Sequence, residues 1–108
     1  MSCLFCRIVD GEIPATIVHE TETTLAFRDI QPKARVHVLI IPREHHDNLD
    51  DWIAAGGSSD RMLAFVHRVA EELGVAGRYR LVTNVGKEAG QIIYHVHWHL
   101  LAGDLAAF

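Results

Sequence analysis

The chain lacks what several large functional classes require. It has two cysteines in 108 residues, too few for the disulfide framework of a small secreted domain. Lysine and arginine total 10 against 14 acidic residues, and the formal net charge of -4 gives no electrostatic reason to expect a nucleic acid partner. No apolar run reaches the roughly 18 residues needed to span a bilayer. The opening Met1-Ser2-Cys3-Leu4-Phe5-Cys6-Arg7 has no basic region followed by an apolar one, so no signal peptide is expected. Internal repeats, low-complexity tracts and linkers are also missing. What remains, at 49% hydrophobic and 22% charged residues, is a globular balance. The expectation is one domain over residues 1–108, cytoplasmic, with no nucleic acid and no membrane as partner.

Histidine is the exception to this scarcity. There are eight, and six of them fall in two places: His37, His45 and His46, then His95, His97 and His99. Imidazole titrates near neutral pH, binds metals and attacks phosphorus, so its clustering is a chemical signal rather than a packing one. His19 and His67 read as solvent-facing or incidental.

Hydrophobic periodicity predicts strands over 16–20, 24–28, 36–41, 80–84 and 92–101. The run Val38-Leu39-Ile40-Ile41 is apolar on both faces, as in a strand covered on both sides. Residues 47–55 carry a short amphipathic pattern with Leu49, Trp52 and Ile53. Asp60 is placed to cap one main helix over 61–73, where Met62, Phe65, Val66, Val69 and Leu73 recur at helical spacing. Short connections between strands favour an antiparallel sheet over βαβ winding. The fold class is α+β, an antiparallel sheet of about five strands with one main helix and a short second one.

His95-Val96-His97-Trp98-His99-Leu100-Leu101 alternates without a break. In a strand, the three imidazoles share one face while Val96, Trp98 and Leu100 turn to the core. Three core histidines in phase would each need a separate buried partner. Two chemical readings stand against that: a metal site built on a His-x-His pair, and nucleophilic catalysis on phosphorus. The preceding Asn84, Gly86, Gly90 and Gln91 suit a cradle of N–H groups and an amide around an anionic oxygen. Gly86-Lys87 is not a phosphate-binding P-loop, because Leu81 and Glu88 occupy positions that need Gly and Ser or Thr.

Residues 95–101 resemble the His-φ-His-φ-His-φ-φ signature of the histidine triad (HIT) nucleotide-binding proteins. Phe5 through Pro14, Leu25 through Ile30, His37 through Pro42 with His45, and Asn84 through Gln91 fall in that family's order and spacing. The third histidine is similar to the hydrolase branches, and the N-terminal segment to the Hint-like branch. The resemblance implies a HIT-like fold and a purine nucleotide substrate. His97 would attack the α-phosphorus of a nucleoside 5′-phosphoramidate, passing through a nucleotidyl-histidine to the nucleoside monophosphate. It implies that His99 contacts the phosphate and leaving group, and that His37 and His95 orient His97, with the His95 carbonyl fixing its tautomer. Asn84, Gly90 and Gln91 would hold the phosphate, with the backbone N–H of Ile92 beside them. Asp29 would accept from the ribose hydroxyls, and Phe5, Ile8, Phe27 and Ile30 would form the base slot, with Leu4 alongside. Ile92 stands where such hydrolases often carry a polar residue, and Ala102-Gly103-Asp104 replaces a more usual Gly-Gly-Arg. A homodimer is also implied.

Cys3-x-x-Cys6 is the one cysteine pair. A thioredoxin-like use needs a βαβ context and a helix N-terminus, neither of which is expected here, and a disulfide would close too small a loop to stabilise much. A zinc site needs two more ligands, which the histidine clusters can supply. By the family resemblance these are His45 and His95, giving one structural zinc from Cys3, Cys6, His45 and His95 and no organic cofactor. His46 is an alternative to His45, and two unligated thiols are an alternative to the site. The functional alternatives are a dinucleoside polyphosphate hydrolase and a non-catalytic nucleotide- or zinc-binding interaction module.

Overall fold

The computed structural model describes residues 3–107; Met1 and Ser2, part of the segment read for a leader, lie outside the described residues, as does Phe108. The order is α1 (Leu4–Val9), β1 (Ile17–Glu20), β2 (Thr24–Arg28), β3 (Val36–Pro42), α2 (Leu49–Ala54), α3 (Ser59–Glu72), β4 (Arg80–Val82) and β5 (Trp98–Ala102), with a 3-10 turn at Lys87–Ala89. The five strands form one sheet, β1-β2-β3-β5-β4, antiparallel throughout. The α+β expectation, with its main helix and short second helix, agrees with this architecture.

Strand alternation divides the core into two layers. Ala26, Val38, Ile40, Trp98 and Leu100 face α3, where Met62, Phe65, Val66 and Val69 meet them, and Trp52 of α2 packs edge-on to Trp98 at 5.3 Å between ring centroids. Leu25, Phe27, Leu39 and Ile41 face the opposite way, against Phe5 of α1. The central strand is thus covered on both sides, as its unbroken apolar run requires. Helix α3 starts before the expected cap: the Ser58 hydroxyl, not Asp60, accepts from the Arg61 N–H at 3.2 Å.

Three further elements differ from the sequence-based expectation. Helix α1 was not anticipated, and its N-cap is Cys3, so the Cys-x-x-Cys pair does open a helix, though of only 6 residues. β4 ends at Val82 rather than residue 84, and β5 begins at Trp98 rather than residue 92. The β3–β5 ladder stops at Ile40 opposite Trp98. Continuing it would set Pro42 against Val96, where proline has no N–H to give. His95 and His97 therefore lie just outside the strand.

Candidate active site and metal centre

The α1 face of the sheet holds a cavity of about 670 Å³, within the range of small-molecule sites. Phe5, Ile8, Phe27, Asp29, Ile30, His37, Asn84, Gly90, Ile92, His97 and His99 all line it, so the structure brings together eleven residues that lie far apart in sequence. The apolar side comes from α1 and β2, the imidazoles from β3 and the entry to β5. Gly90 sits at φ 93, a left-handed conformation that favours glycine, and so turns the 86–91 loop over the pocket edge.

Hydrogen bonds fix the protonation pattern. The His95 carbonyl can only accept, so His97 donates Nδ1–H to it at 2.8 Å and keeps a lone pair on Nε2. The Lys33 N–H donates to His37 Nδ1 at 3.0 Å, so His37 carries its proton on Nε2, 2.9 Å from His99 Nδ1. His99 then holds its own proton on Nε2. Burial lowers the pKa of His97 and of His37, although the nearby Asp29 carboxylate pulls both the other way. His99 is pushed down to about 4, by burial first and then by His97 and His37. At neutral pH the pocket therefore holds uncharged imidazoles: His97 with a lone pair on Nε2, and the hydrogen-bonded pair of His37 and His99.

Two of the expected site residues are placed elsewhere. Gln91 does not line the pocket: its side chain accepts from the Gly86 N–H at 2.8 Å and donates to the carbonyls of Asp47 at 2.6 Å and Ile93 at 3.0 Å. It staples the loop, and its own N–H goes to the Gly86 carbonyl. The His95 ring is fully buried outside the pocket, so only its carbonyl serves His97. Sequence reasoning missed Lys33, whose backbone sets the His37 tautomer. It also missed Thr83, whose hydroxyl donates to the His97 carbonyl at 2.7 Å. Neither contact leaves a mark in composition or periodicity.

The His95 ring belongs to a second cluster, with Cys3, Cys6 and His45, whose ligand atoms all lie within 4.8 Å of one another. His95 Nε2–H donates to the Pro42 carbonyl at 2.8 Å and His45 Nε2–H to the Asp47 carboxylate at 3.0 Å. Both Nδ1 lone pairs consequently face inward, 3.3 Å apart, towards Cys6 Sγ at 3.4 Å from His45 and 3.6 Å from His95. Cys3 Sγ is 3.5 Å from His95 Nδ1. Tetrahedral bonds of about 2.3 Å to sulfur and 2.05 Å to nitrogen need N···N near 3.3 Å and S···N near 3.6 Å. The cluster matches both, and the outward hydrogen bonds are those that metal-ligating histidines make. Burial and the adjacent Cys3 push the Cys6 thiol up to about 11, so a thiolate there needs a cation beside it. The four residues can hold a metal ion. His46 turns instead to the Glu44 carboxylate at 2.7 Å, and His45 is the residue that joins the cluster.

Asp29, His37 and His99 also lie close enough to hold a cation. Their hydrogen bonding opposes it: a metal on His37 Nε2 would need a proton on Nδ1, where the Lys33 N–H already points. Asp29 Oδ2 lies 3.5 Å from His37 Nε2, which stands 2.9 Å from His99 Nδ1.

A HIT-domain family profile matches residues 10–105. A HIT-like protein of Helicobacter pylori is 42% identical over 106 residues, covering 94% of this chain and 96% of its own. The purine nucleoside phosphoramidase of Escherichia coli K12 is 39% identical over 102 residues, covering 93% of this chain and 86% of that protein. The crystal structure of a HIT family hydrolase from Legionella pneumophila superposes with a TM-score of 0.90 at 42% identity, covering 99% of this chain and 97% of the other. The chain belongs to the HIT-domain family.

Proposed function

We propose that this chain, as a single HIT domain, hydrolyses purine nucleoside 5′-phosphoramidates through a nucleotidyl-histidine. The observation that carries the reading is the 2.8 Å bond from His97 Nδ1 to the His95 carbonyl, which leaves Nε2 unprotonated at the pocket. That nitrogen attacks the α-phosphorus, and the P–N bond breaks as the leaving nitrogen takes up a proton from solvent and departs as the amine. Water then attacks the adduct and releases the nucleoside monophosphate. His99, with its proton on Nε2 and His37 behind it, donates on the phosphate and leaving-group side. Asn84, the Gly90 turn and the backbone at Ile92 hold the phosphate oxygens. Asp29 takes the ribose hydroxyls; its Oδ1 accepts from the Gln31 N–H at 2.8 Å, which keeps the side chain in place. Phe5, Ile8, Phe27 and Ile30, all in the pocket lining, make the apolar wall for the base.

The second cluster would hold one zinc ion, on two thiolates and two imidazoles with no place left for a reacting water. Bound there, zinc supplies structural cross-linking of α1, the 43–47 segment and residue 95. A homodimer in the cytoplasm completes the reading. Among the described residues no helix is long and apolar enough to cross a membrane, and both thiols are free, which fits metal binding in a reducing compartment.

The test follows AMP release from adenosine 5′-phosphoramidate, with mass spectrometry of protein quenched during turnover. An AMP adduct on His97, absent from His97→Ala together with turnover, is the expected result. Undiminished turnover by His97→Ala refutes the mechanism. Faster cleavage of a dinucleoside polyphosphate would shift the substrate class, and AMP binding without turnover of either substrate would leave a binding module.

A further inference from the structure

The nucleophile sits on a stretch of chain that no sheet ladder holds. β5 begins at Trp98, so residues 95–97 depend on separate contacts. Val96 N–H donates to the His46 carbonyl at 2.7 Å, and the Thr83 hydroxyl to the His97 carbonyl. The His95 ring is held between the Pro42 carbonyl and the cluster of Cys3, Cys6 and His45. Phe5, between the two cysteines and 2% exposed, sets its ring edge-on to His95 at 5.9 Å and to His97 at 5.2 Å.

We infer that the Cys3–Cys6–His45–His95 centre, loaded with zinc, positions the nucleophile, and that His95 is the residue that transmits its effect. His95 makes both connections: its ring ligates, and its carbonyl receives the His97 Nδ1–H. Without an ion, the four groups would be joined only by S–H···N contacts of 3.4–3.6 Å, far weaker links than metal bonds. α1 has 6 residues, joins no ladder and meets the sheet through Phe5, so it is the element with the least to hold it. Its displacement takes Phe5 off the edge of His97 and loosens residue 95, whose carbonyl aims the imidazole. Cys3, Cys6, His45 and His95 are therefore positioning residues, and the centre does the work that a ladder does for residues 98–102.

Only the kinetic part of the test rests on the hydrolase reading. The purified protein is assayed for zinc by native mass spectrometry, stripped with a chelator and restored with Zn²⁺ alone. Three readouts are compared: amide hydrogen exchange over residues 93–97, the His97 Nδ1–H proton resonance, and kcat and KM for adenosine 5′-phosphoramidate. Stripping is expected to leave far-ultraviolet circular dichroism unchanged, erase the resonance and speed exchange over 93–97. It should lower kcat about tenfold or more while KM stays within about twofold, since a small misplacement of the reacting atom acts on the chemical step. Zn²⁺ should restore all three; Cys6→Ser should show the stripped behaviour with no restoration. A sharp His97 resonance with unchanged exchange after stripping overturns the inference. So does loss of the whole fold on stripping, which would make the effect global, or failure of the protein to take up one zinc per chain. If no phosphoramidate is cleaved at all, the hydrolase reading fails, and exchange and resonance still decide the positioning role.

Discussion

Replacing Gln91 with glutamate exchanges one atom of a buried amide and unfastens the loop at the edge of the pocket. The variant keeps an oxygen for the Gly86 N–H but loses the nitrogen that donates to the Asp47 and Ile93 carbonyls. Those carbonyls would then face a carboxylate oxygen on a side chain that is 4% exposed. Each lost bond, with its partner left unsatisfied, costs about 1–2 kcal/mol, or about 2–4 kcal/mol together. For 108 residues this lowers Tm by about 9–18 °C. Burial and the two carbonyls raise the pKa of the introduced glutamate above its ordinary value of about 4.3 in the folded state only. The folded variant therefore binds a proton that its unfolded chain releases, so the deficit is smallest in acid and grows as pH rises through the raised value. Thermal unfolding of wild type and variant side by side from pH 5 to 8 measures this, because subtraction cancels the contribution of the histidines. Gln91→Met serves as the comparison, with a deficit that does not change with pH. A variant Tm within about 3 °C of wild type at pH 8, or a deficit that fails to shrink on acidification, refutes the stapling role.

His99 should titrate near 4 by NMR, and unfolding free energy should fall as pH drops from 6.5 towards 4, since the unfolded chain then takes up a proton that the folded one refuses. The ceiling is about 3 kcal/mol, which partial solvent access cuts to roughly half, and a His99 midpoint at or above 6.5 would contradict the burial argument. Gly57→Ala puts a Cβ 2.3 Å from the Trp52 ring, so urea unfolding should show a loss of about 1–3 kcal/mol from overpacking. Thr83→Val removes the hydroxyl bonded to the His97 carbonyl and should cost about 1 kcal/mol, lowering kcat severalfold with KM unmoved.

The layering of the sheet was legible because its cause is local. Apolar residues on both faces of 38–41 require cover on both sides, and the helical spacing of Met62 through Val69 supplies one of the covers. The other cover, α1, escaped because six residues carry too little periodicity and cysteine is not a usual cap. The alternation His95-Val96-His97-Trp98 reads as strand in sequence, yet its first three residues find no ladder, since the neighbour that would pair with Val96 is Pro42. Clustered histidines pointed to both sites, but how they divide between them depends on contacts outside the motif. A carbonyl at residue 42 sends His95 one way, and an N–H at residue 33 fixes His37 the other. In sequence, an amide beside glycines suits an anion, but the three partners of the Gln91 side chain lie in two loops that only the folded chain brings together.

The four residues able to hold a metal ion also bear on when the molecule can become itself. Cys3 and His95 are 92 positions apart, and His45 stands roughly midway between them. Closing such long loops is entropically costly until other contacts have been made, so this cross-link belongs to the end of folding rather than to its nucleus. A chain emerging from the ribosome can offer an ion only Cys3 and Cys6 at first, a weak and incomplete grip, and completes the set when residue 95 is out. Full occupancy would then mark the finished molecule, and a chain interrupted before residue 95 would lack one of the four groups that could retain the ion.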